Sequence, residues 1–146
     1  MKPKNVSKSF VNKKAYFNYE IEDQFESGIV LTGLEIKAVR MGRVNLTGSY
    51  AKIISQEVFW LGGVIGVSEG DPQRTRKLLL KRGEIEKIFG KSSKEKLSLV
   101  PIKLYIKRGK AKLLLGLAKG RKSHDKRELI KSRDLERENA MIAKIS

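Results

Sequence analysis

Three runs of lysine and arginine supply the side chains in this chain that are best suited to chemistry. Ammonium and guanidinium groups bind phosphate oxygens whatever the base sequence, and they release the counterions of a nucleic acid. One run follows a proline turn, one lies at a hairpin end and one opens a charged C-terminal segment: Arg74, Arg76 and Lys77; Lys107, Arg108, Lys110 and Lys112; Lys119, Arg121, Lys122, Lys126 and Arg127. A single run is usually solvated surface, but the three together indicate nucleic-acid binding.

The charge balance of the whole chain points the same way. Lysine and arginine number 32 against 16 acidic residues, a formal net charge of +16 over 146 residues. Self-repulsion on this scale destabilises an isolated compact protein, so a polyanionic partner is expected. A membrane surface is a weaker candidate, because no stretch joins a wide apolar face to a basic one. No apolar run has the length of a transmembrane helix, and we expect a cytoplasmic protein.

The residue types that enzymes require are scarce. His124 is the only histidine and lies in the charged C-terminal segment, so no nucleophile–histidine pair is held on the core. The absence of cysteine excludes disulfides and thiolate metal sites. Four carboxylates resemble a Mg²⁺ site of a nuclease, although a solvated strand face is the preferred interpretation: Glu20, Glu22, Asp23 and Glu26. The sequence therefore predicts no enzyme, no metal site and no cofactor.

One segment comes close to a phosphate-binding loop but does not meet its requirements. Residues 116–123 read GLAKGRKS, against the pattern G-x-x-x-x-G-K-S. The glycine that must precede the lysine is Arg121 here, and its side chain would block the close approach of phosphates to the backbone. No strand–helix–strand unit accompanies the segment, so a nucleotide hydrolase is rejected.

The elements that must position these residues are mostly short strands. Alternating apolar and polar residues predict strands from Phe17 to Glu22, at 29–31, 50–54 and 58–61, and in a final hairpin at 100–106 and 112–117. Residues 77–80 are ambiguous between strand and helix, and residues 84–89 predict a short helix. Thr32 and Glu35 form a capping box, which predicts a helix that ends near Gly42 and has Leu34, Ala38 and Met41 on its apolar face.

The final hairpin has the clearest alternation. We expect Val100, Ile102, Leu104 and Ile106 to face the core, as do Leu113, Leu115 and Leu117, while Lys103, Tyr105 and Lys112 face outward. Four aromatic side chains are candidates for stacking on unpaired bases, with core packing as the alternative: Tyr16, Phe17, Tyr19 and Tyr105.

Composition divides the chain into three parts. Residues 1–15 form a basic N-terminal arm, residues 16–118 a basic β-rich body, and residues 119–146 a basic tail. The predicted fold class is mainly β, a small closed antiparallel barrel with two or three short helices. A barrel of this size fits the oligonucleotide-binding type, although the pattern alone does not distinguish it from other barrels.

Several strings in this chain closely resemble the SmpB family, the SsrA-binding proteins. They are Asp71-Pro72 with Arg74 and Thr75–Leu80, Glu35–Lys37 with Arg40 and Gly42, Asn45, Tyr50, Gly116–Lys122 and Asp125–Arg127. The resemblance covers essentially the whole chain in order. The joint presence of the strings around Thr75 and Gly116 makes it specific.

The resemblance implies a barrel of oligonucleotide-binding type and a role in trans-translation. Members bind the tRNA-like domain of transfer-messenger RNA and help to load that RNA into stalled bacterial ribosomes, which are rescued while the broken product is tagged for proteolysis. The tail is thought to enter the decoding region and the mRNA channel. Elongation factor Tu is a candidate further partner, reached through the RNA complex. The protein itself catalyses no reaction.

The resemblance also assigns roles to individual residues. Glu26, Leu79 and Lys112 match positions that bind the transfer-messenger RNA, and the basic runs add Arg74, Arg76, Lys77, Lys110 and Lys119 as RNA-binding candidates. The ribosome-contacting tail set is Gly120, Arg121, Lys122, His124, Asp125, Lys126 and Arg127. This chain departs from many members at Phe17, where histidine is common, at Ala38, where serine is common, and at Arg121, where lysine is common.

Two functional classes remain open at this point. A rescue adaptor needs two separable nucleic-acid surfaces, whereas a ribosomal or RNA-chaperone-type protein binds one RNA with body and tail together. Leu79 is likewise open, because a leucine in this string either packs in the core or meets the RNA. A nuclease that depends on Mg²⁺ is a distant third class.

The tail generates the first testable prediction. Its apolar residues make only a ragged stripe and a lone helix of this length is marginal in water, so we expect it to be disordered in the free protein and helical in a ribosomal RNA channel. Deleting residues 128–146 should leave transfer-messenger RNA binding intact and abolish tagging of stalled products. Amide hydrogen exchange and a tagging assay check this. Strongly protected tail amides in the free protein, or normal tagging without the tail, would contradict it.

Overall fold

The computed structural model describes residues 6–122 and 126–131, and their side chains from residue 9 onward. The elements in chain order are β1 (Val6–Val11), α1 (Lys13–Asn18), β2 (Tyr19–Ile29), α2 (Gly33–Arg40), β3 (Val44–Asn45), β4 (Tyr50–Ile54), β5 (Glu57–Leu61), β6 (Val64–Ile65), β7 (Arg76–Leu79), α3 (Arg82–Glu95), β8 (Ser98–Lys107) and β9 (Lys110–Gly120). Residues 126–131 are also helical. The predicted positions of His124 and Asp125, and the predicted disorder-to-helix change of the distal tail, lie outside the described residues.

Strand β8 is central to the sheet because it pairs with three neighbours. It pairs with β4 at Leu99, with β1 near its C-terminal end and with β9 along its length. The sheet order is β1-β8-β4-β5-β7-β2-β9, and because β9 returns to β8, the six strands from β8 to β9 form a ring of paired strands. These pairings are antiparallel. The predicted mainly β class is confirmed.

The final hairpin supplies much of the core, as its alternation predicts. Val100, Ile102, Leu104 and Ile106 are buried, and so are Leu113, Leu115 and Leu117. Tyr105 differs from the expectation: it is only 8% exposed, so it is not available to stack on a base. Its hydroxyl instead donates a hydrogen bond to Glu26 Oε2.

The strands predicted at residues 50–54 and 58–61 are present, and they form a hairpin. Strands β4 and β5 pair from Tyr50 with Leu61 to Ile54 with Glu57. Ser55 and Gln56 have φ angles of +49° and +65°, the left-handed pair that a tight hairpin turn requires. The ambiguous segment at residues 77–80 proves to be mostly strand, since β7 pairs with β5 on one side and β2 on the other.

The first predicted strand starts later than expected, and two further elements precede it. Strand β1 pairs with β8, and α1 occupies the positions where a strand from Phe17 was expected. Asn12 explains the helix, because its side chain accepts a hydrogen bond from the Ala15 N–H at 3.3 Å and its Nδ2 donates to Pro101 O at 2.9 Å. Strand β2 therefore begins only at Tyr19.

The capping box of α2 is confirmed, and so is the burial of Ala38, but the predicted burial of Leu34 and Met41 is wrong. Glu35 Oε1 accepts from the Thr32 N–H at 2.9 Å and Thr32 Oγ1 accepts from the Glu35 N–H at 3.2 Å. Leu34 and Met41 are 45% and 55% exposed, whereas the buried residues are Glu35, Ala38 and Val39. The helix is thus rotated so that a carboxylate faces the interior.

A buried charge cluster explains that rotation. Arg76 is 0% exposed and donates from Nε to Glu35 Oε2 at 2.6 Å. Its remaining nitrogens donate to Gly63 O and Pro72 O, both at 2.9 Å, and its guanidinium carbon lies 5.2 Å from the Trp60 ring centroid. A buried guanidinium with all these partners is stable, but one without its carboxylate is not.

Gly63 is required where it stands because the Trp60 ring covers it. A Cβ built on Gly63 would lie 1.9 Å from Cζ2 of Trp60, which is fully buried. The close approach keeps the Gly63 carbonyl within reach of Arg76. The bend after β5 therefore serves the buried charge cluster.

The Glu35 carboxylate is ionised far into the acid range. Burial by itself raises the pKa of Glu35, but the hydrogen bonds from Arg74, from the Thr32 N–H and from Arg76 outweigh burial and lower it from 4.5 to about 2. The folded protein therefore holds this charge where the unfolded chain would be protonated. The stabilisation from Glu35 is fully present above the pKa that this carboxyl has in the unfolded chain. It is lost as the pH falls through the pKa of Glu35 in the folded protein.

Glu35→Gln tests this cluster through the pH dependence of folding. The amide keeps the shape and removes the charge, so the variant should lose the acid-sensitive part of the unfolding free energy, on the order of 3 kcal/mol. Urea unfolding of wild type and variant across the acid range measures it. Glu57→Gln is the control, because the Glu57–Lys77 pair is exposed. The same acid dependence in Glu35→Gln as in wild type would contradict the assignment.

Candidate nucleic-acid interface

The strand register aligns two of the predicted RNA-binding positions, Leu79 and Lys112, in one row. Gly28 on β2 lies opposite Leu79 on β7 and opposite Lys112 on β9, and Lys112 lies opposite Tyr105 on β8. The row therefore crosses four strands of the ring. Leu79 and Lys112, which are far apart in the sequence, become neighbours on either side of a residue that has no side chain.

Alternation along β2 places Glu26 on the same outer face as Gly28. Phe25, Ser27 and Ile29 are buried, so the residues between them point outward. Ser27 fixes this register, because its hydroxyl donates to Leu113 O at 2.7 Å inside the ring. The structure thus brings Glu26, Leu79 and Lys112 together on one surface. We call these three residues, together with Gly28, the outer row.

The Glu26 carboxylate is held by two neighbours on β8. The Tyr105 hydroxyl donates to Oε2, and Lys107 Nζ lies 3.7 Å from the same oxygen. Burial, and then the hydrogen bond and charge of Glu26, raise the pKa of Tyr105, so the phenol keeps the proton that it donates. Both contacts use Oε2, and Oε1 accepts no hydrogen bond from a described residue.

The position of Leu79 excludes the alternative that this residue packs in the core. Its side chain is 54% exposed, while its neighbour Leu78 is buried, as alternation on β7 requires. Lys77 shares the outward face and is about half exposed, with Nζ 3.0 Å from Glu57 Oε1. Lys110 is exposed at the hairpin end next to this surface, and it lines the same shallow depression as Lys112 and Leu79.

Two predicted RNA-binding arginines belong to the buried cluster instead. The prediction that Arg76 binds RNA is wrong, because its guanidinium is fully buried, hydrogen-bonded to Glu35 and not available to a phosphate. Arg74 is intermediate, because its side chain is 41% exposed while its Nη2 donates to Glu35 Oε1 at 2.5 Å. A string of alternating basic residues in the sequence does not reveal which of them points inward.

The remaining predicted residues lie at the other end of β9. Lys119 is opposite Glu20, and Gly120 is opposite Tyr19. Lys119 lies seven residue steps beyond Lys112, about 24 Å along the strand. The Arg121 N–H donates to Asn18 O at 2.8 Å, which ties the start of the tail to α1. The predicted residues therefore form two separate groups rather than one.

The other tail residues that the structure describes are Lys122, Lys126 and Arg127. Lys122 is exposed, and its carbonyl accepts a hydrogen bond from the Lys126 N–H at 3.1 Å. Lys126 and Arg127 lie in the helical segment at residues 126–131. These basic residues continue the group at the far end of β9.

The four clustered carboxylates do not converge. Asp23 pairs with Lys87 and Lys91 of α3 at 3.5 and 3.4 Å, whereas Glu26 turns to β8. Glu20 and Glu22 are exposed on β2. Within the described residues, no group of three histidine, cysteine or acidic side chains is arranged to hold a metal ion.

Sequence reasoning missed Gly28 and the role of Tyr105. An isolated glycine within a strand pattern is a known signal for a close backbone approach, so Gly28 was open to detection. Nothing in the sequence indicates that Tyr105 reaches Glu26, because the two residues are 79 positions apart.

Comparison with known proteins identifies relatives of this chain. The family described as SmpB protein matches residues 9–145. The chain belongs to the SmpB family. The SsrA-binding protein of Bacillus subtilis is 52% identical over 133 residues, covering 87% of this chain and 85% of the relative. That of Cupriavidus taiwanensis is 47% identical over 140 residues, covering 91% and 94%.

A solved SmpB structure is similar to this chain in three dimensions as well. It is described as "tmRNA-SmpB: a journey to the center of the bacterial ribosome", and it matches with a TM-score of 0.66 and 41% sequence identity over 79% of this chain and 85% of that one. Among the described residues, no helix of this family member has the length and apolar character needed to cross a membrane.

Leu79→Ala tests the outer row without disturbing the core. Because Leu79 is largely exposed, the substitution should change the unfolding free energy by no more than about 0.5 kcal/mol. It should weaken binding of SsrA RNA, the RNA after which the SsrA-binding relatives are named. Ile54→Ala is the control, since Ile54 is similarly exposed but lies on β4. Thermal melting and RNA titration of both variants check this. A large loss of stability in Leu79→Ala with normal RNA binding would refute the role.

Proposed function

We propose that this chain is an RNA-binding adaptor that binds the tRNA-like domain of transfer-messenger RNA and delivers it to stalled ribosomes for trans-translation. The relatives are SsrA-binding proteins, and the similar solved structure is described as tmRNA-SmpB in the bacterial ribosome. The partners are then transfer-messenger RNA and the ribosome, with elongation factor Tu reached through the RNA complex. The adaptor catalyses no reaction and acts in the cytoplasm.

One observation carries the proposal: the outer row gathers Glu26, Leu79 and Lys112 from three strands on one face. Lys112 attracts a phosphate, Glu26 accepts a hydrogen bond from a base edge, and Leu79 packs on an exposed base. A cation, an acceptor and an apolar surface side by side suit a folded RNA with unpaired bases. A bare phosphate backbone would need only the cation.

The separation of the two basic groups favours an adaptor over a protein that binds one RNA. The outer row lies at one end of β9, while Lys119, Gly120 and Arg121 lie at the other, where the tail departs next to α1. In this proposal the body holds the transfer-messenger RNA, and the tail, from Gly120 through Arg127, contacts the decoding region and mRNA channel. Each surface then acts on a different RNA.

The fold supports this division of labour. We infer that the ring of strands is a closed barrel of oligonucleotide-binding type, with residues 16–118 as the RNA-binding body, residues 1–15 as an arm and residues 119–146 as the tail. In support, β8 and β9 close the strand order, and apolar residues from both strands fill the ring. A closed ring has no free edge between its members, so its outer face stays rigid when RNA binds.

The RNA captured from a bacterial lysate tests the proposal. Wild-type protein should enrich one RNA with a tRNA-like end, and Glu26→Ala should lose that RNA. Its melting temperature should fall only modestly, because Glu26 is exposed and its loss removes one hydrogen bond to Tyr105. Glu22→Ala is the matched control on the same strand. Sequencing of the captured RNA decides between the two classes. Enrichment of bulk ribosomal RNA instead, unchanged by Glu26→Ala, would favour a ribosomal or chaperone-type protein.

A further inference from the structure

The outer row contains a gap at Gly28 that the proposed RNA contact does not yet explain. Leu79 and Lys112 stand on either side of it, and a shallow depression of about 310 Å³ opens there between β2, β7, the β8–β9 hairpin and α2. Its wall is apolar on one side, from Leu31, Ile36 and Leu79. We propose that this depression is a pocket for a single unpaired nucleotide of the bound RNA, with Gly28 as its floor.

The glycine at residue 28 keeps the floor of the depression free of a side chain. A Cβ built there would lie 3.5 Å from Leu79 Cβ, 3.7 Å from Leu79 Cδ1 and 3.9 Å from Lys112 Nζ. Those are ordinary contacts, so a methyl group fits and larger side chains would fill the space. The φ angle of Gly28 is outside the left-handed region, so backbone strain does not demand glycine. The open space is what the glycine provides.

The size and lining of the depression suit a nucleobase. Its volume is at the lower end of the range typical of small-ligand pockets, about 300–1,000 Å³, so one base fits and a longer ligand does not. Apolar side chains pack well against the face of a flat ring. A base in a duplex has both faces covered by its neighbours, so only a base removed from the stack can use this wall.

The charges around the depression orient the nucleotide. Lys110 and Lys112 are among the residues that line the depression, and a phosphate would lie next to them. Glu26 lies two residues before Gly28 on the same face, about 7 Å along the strand, and its Oε1 accepts no hydrogen bond from a described residue. A carboxylate repels phosphate and accepts from N–H groups on a base edge. The base therefore points toward Glu26 and its phosphate toward the lysines.

Tyr105 and Lys107 hold the carboxylate for this task. Because both contact Oε2, the Glu26 side chain is fixed while Oε1 stays available. A carboxylate that was free to rotate would lose conformational freedom on binding, so holding it in advance favours recognition. Tyr105 is thus a positioning residue rather than a stacking platform.

Gly28→Val tests the pocket, because the valine side chain occupies its floor without altering any charge. With RNA carrying the tRNA-like domain, affinity should fall about tenfold, as expected for loss of one packed base. The slope of log affinity against log salt should be unchanged, whereas Lys112→Ala should reduce that slope by about one. Gly83→Val on α3 is the matched control, since nothing lies within 4 Å of a Cβ there.

Chemical probing of base edges gives a second and independent measurement. The wild-type complex should protect the edge of one unpaired nucleotide, and Gly28→Val should expose that nucleotide while other protections persist. If the valine variant does not fold, Gly28→Ala, whose methyl group makes only ordinary contacts, takes its place with a smaller expected loss. Melting curves decide which variant is used.

The outcomes separate this inference from the proposed function on which it rests. If wild type does not bind the RNA, the proposed function fails. If wild type binds and Gly28→Val binds the RNA equally well with the same footprint, the pocket proposal alone is overturned. This holds even if the valine variant fails to bind a protein or peptide, because the proposal concerns a nucleotide. Loss of affinity together with exposure of one nucleotide supports the pocket.

Discussion

The buried ion pair between Glu35 and Arg76 is the interaction on which the rest of the structure depends. It joins α2 to β7 across the interior, and Trp60, Gly63 and the Pro72 carbonyl complete the shell around the guanidinium. Desolvating two charges is costly unless geometry and hydrogen bonds compensate, and both partners here are fully engaged. Removing Glu35 would leave Arg76 as an isolated buried charge, whereas removing Arg76 would leave Glu35 paired with Arg74 alone. The cluster therefore fixes where β7 lies and which of its side chains point outward.

That placement creates the outer row. With Arg76 and Leu78 turned inward, alternation forces Lys77 and Leu79 outward, next to Gly28 of β2. Strand β9 approaches Gly28 from the other side, so three sequence-distant strands contribute to one surface. The same strand carries the chain to the opposite end, where the tail begins. A single long strand thus separates the surface proposed for one RNA from the segment proposed to act on another.

The sequence predicts the strands better than the orientation of charged residues. The final hairpin, the turn at Ser55 and the capping box at Thr32 were predictable, since each rests on local spacing. The inward turn of Glu35 and Arg76 was not, because charged residues are assumed to be solvated unless a partner is known, and their partners lie 41 residues apart. The helix α1 was missed for a similar reason: Asn12 caps it while bonding to the distant β8. Glu26, Leu79 and Lys112 were found through family resemblance, and only the register shows that they share a face.

The most direct test of the central claim, that the RNA docks on the outer row, is amide chemical-shift mapping of the full chain. RNA of the tRNA-like domain alone is titrated in, so that no ribosomal contact contributes. The largest changes should fall on residues 26–28, 77–80 and 109–114, with β4 and α3 little affected. Changes centred instead on the groove between α1, β4 and α3, which is lined by Lys14, Tyr50 and Phe89, would contradict the claim.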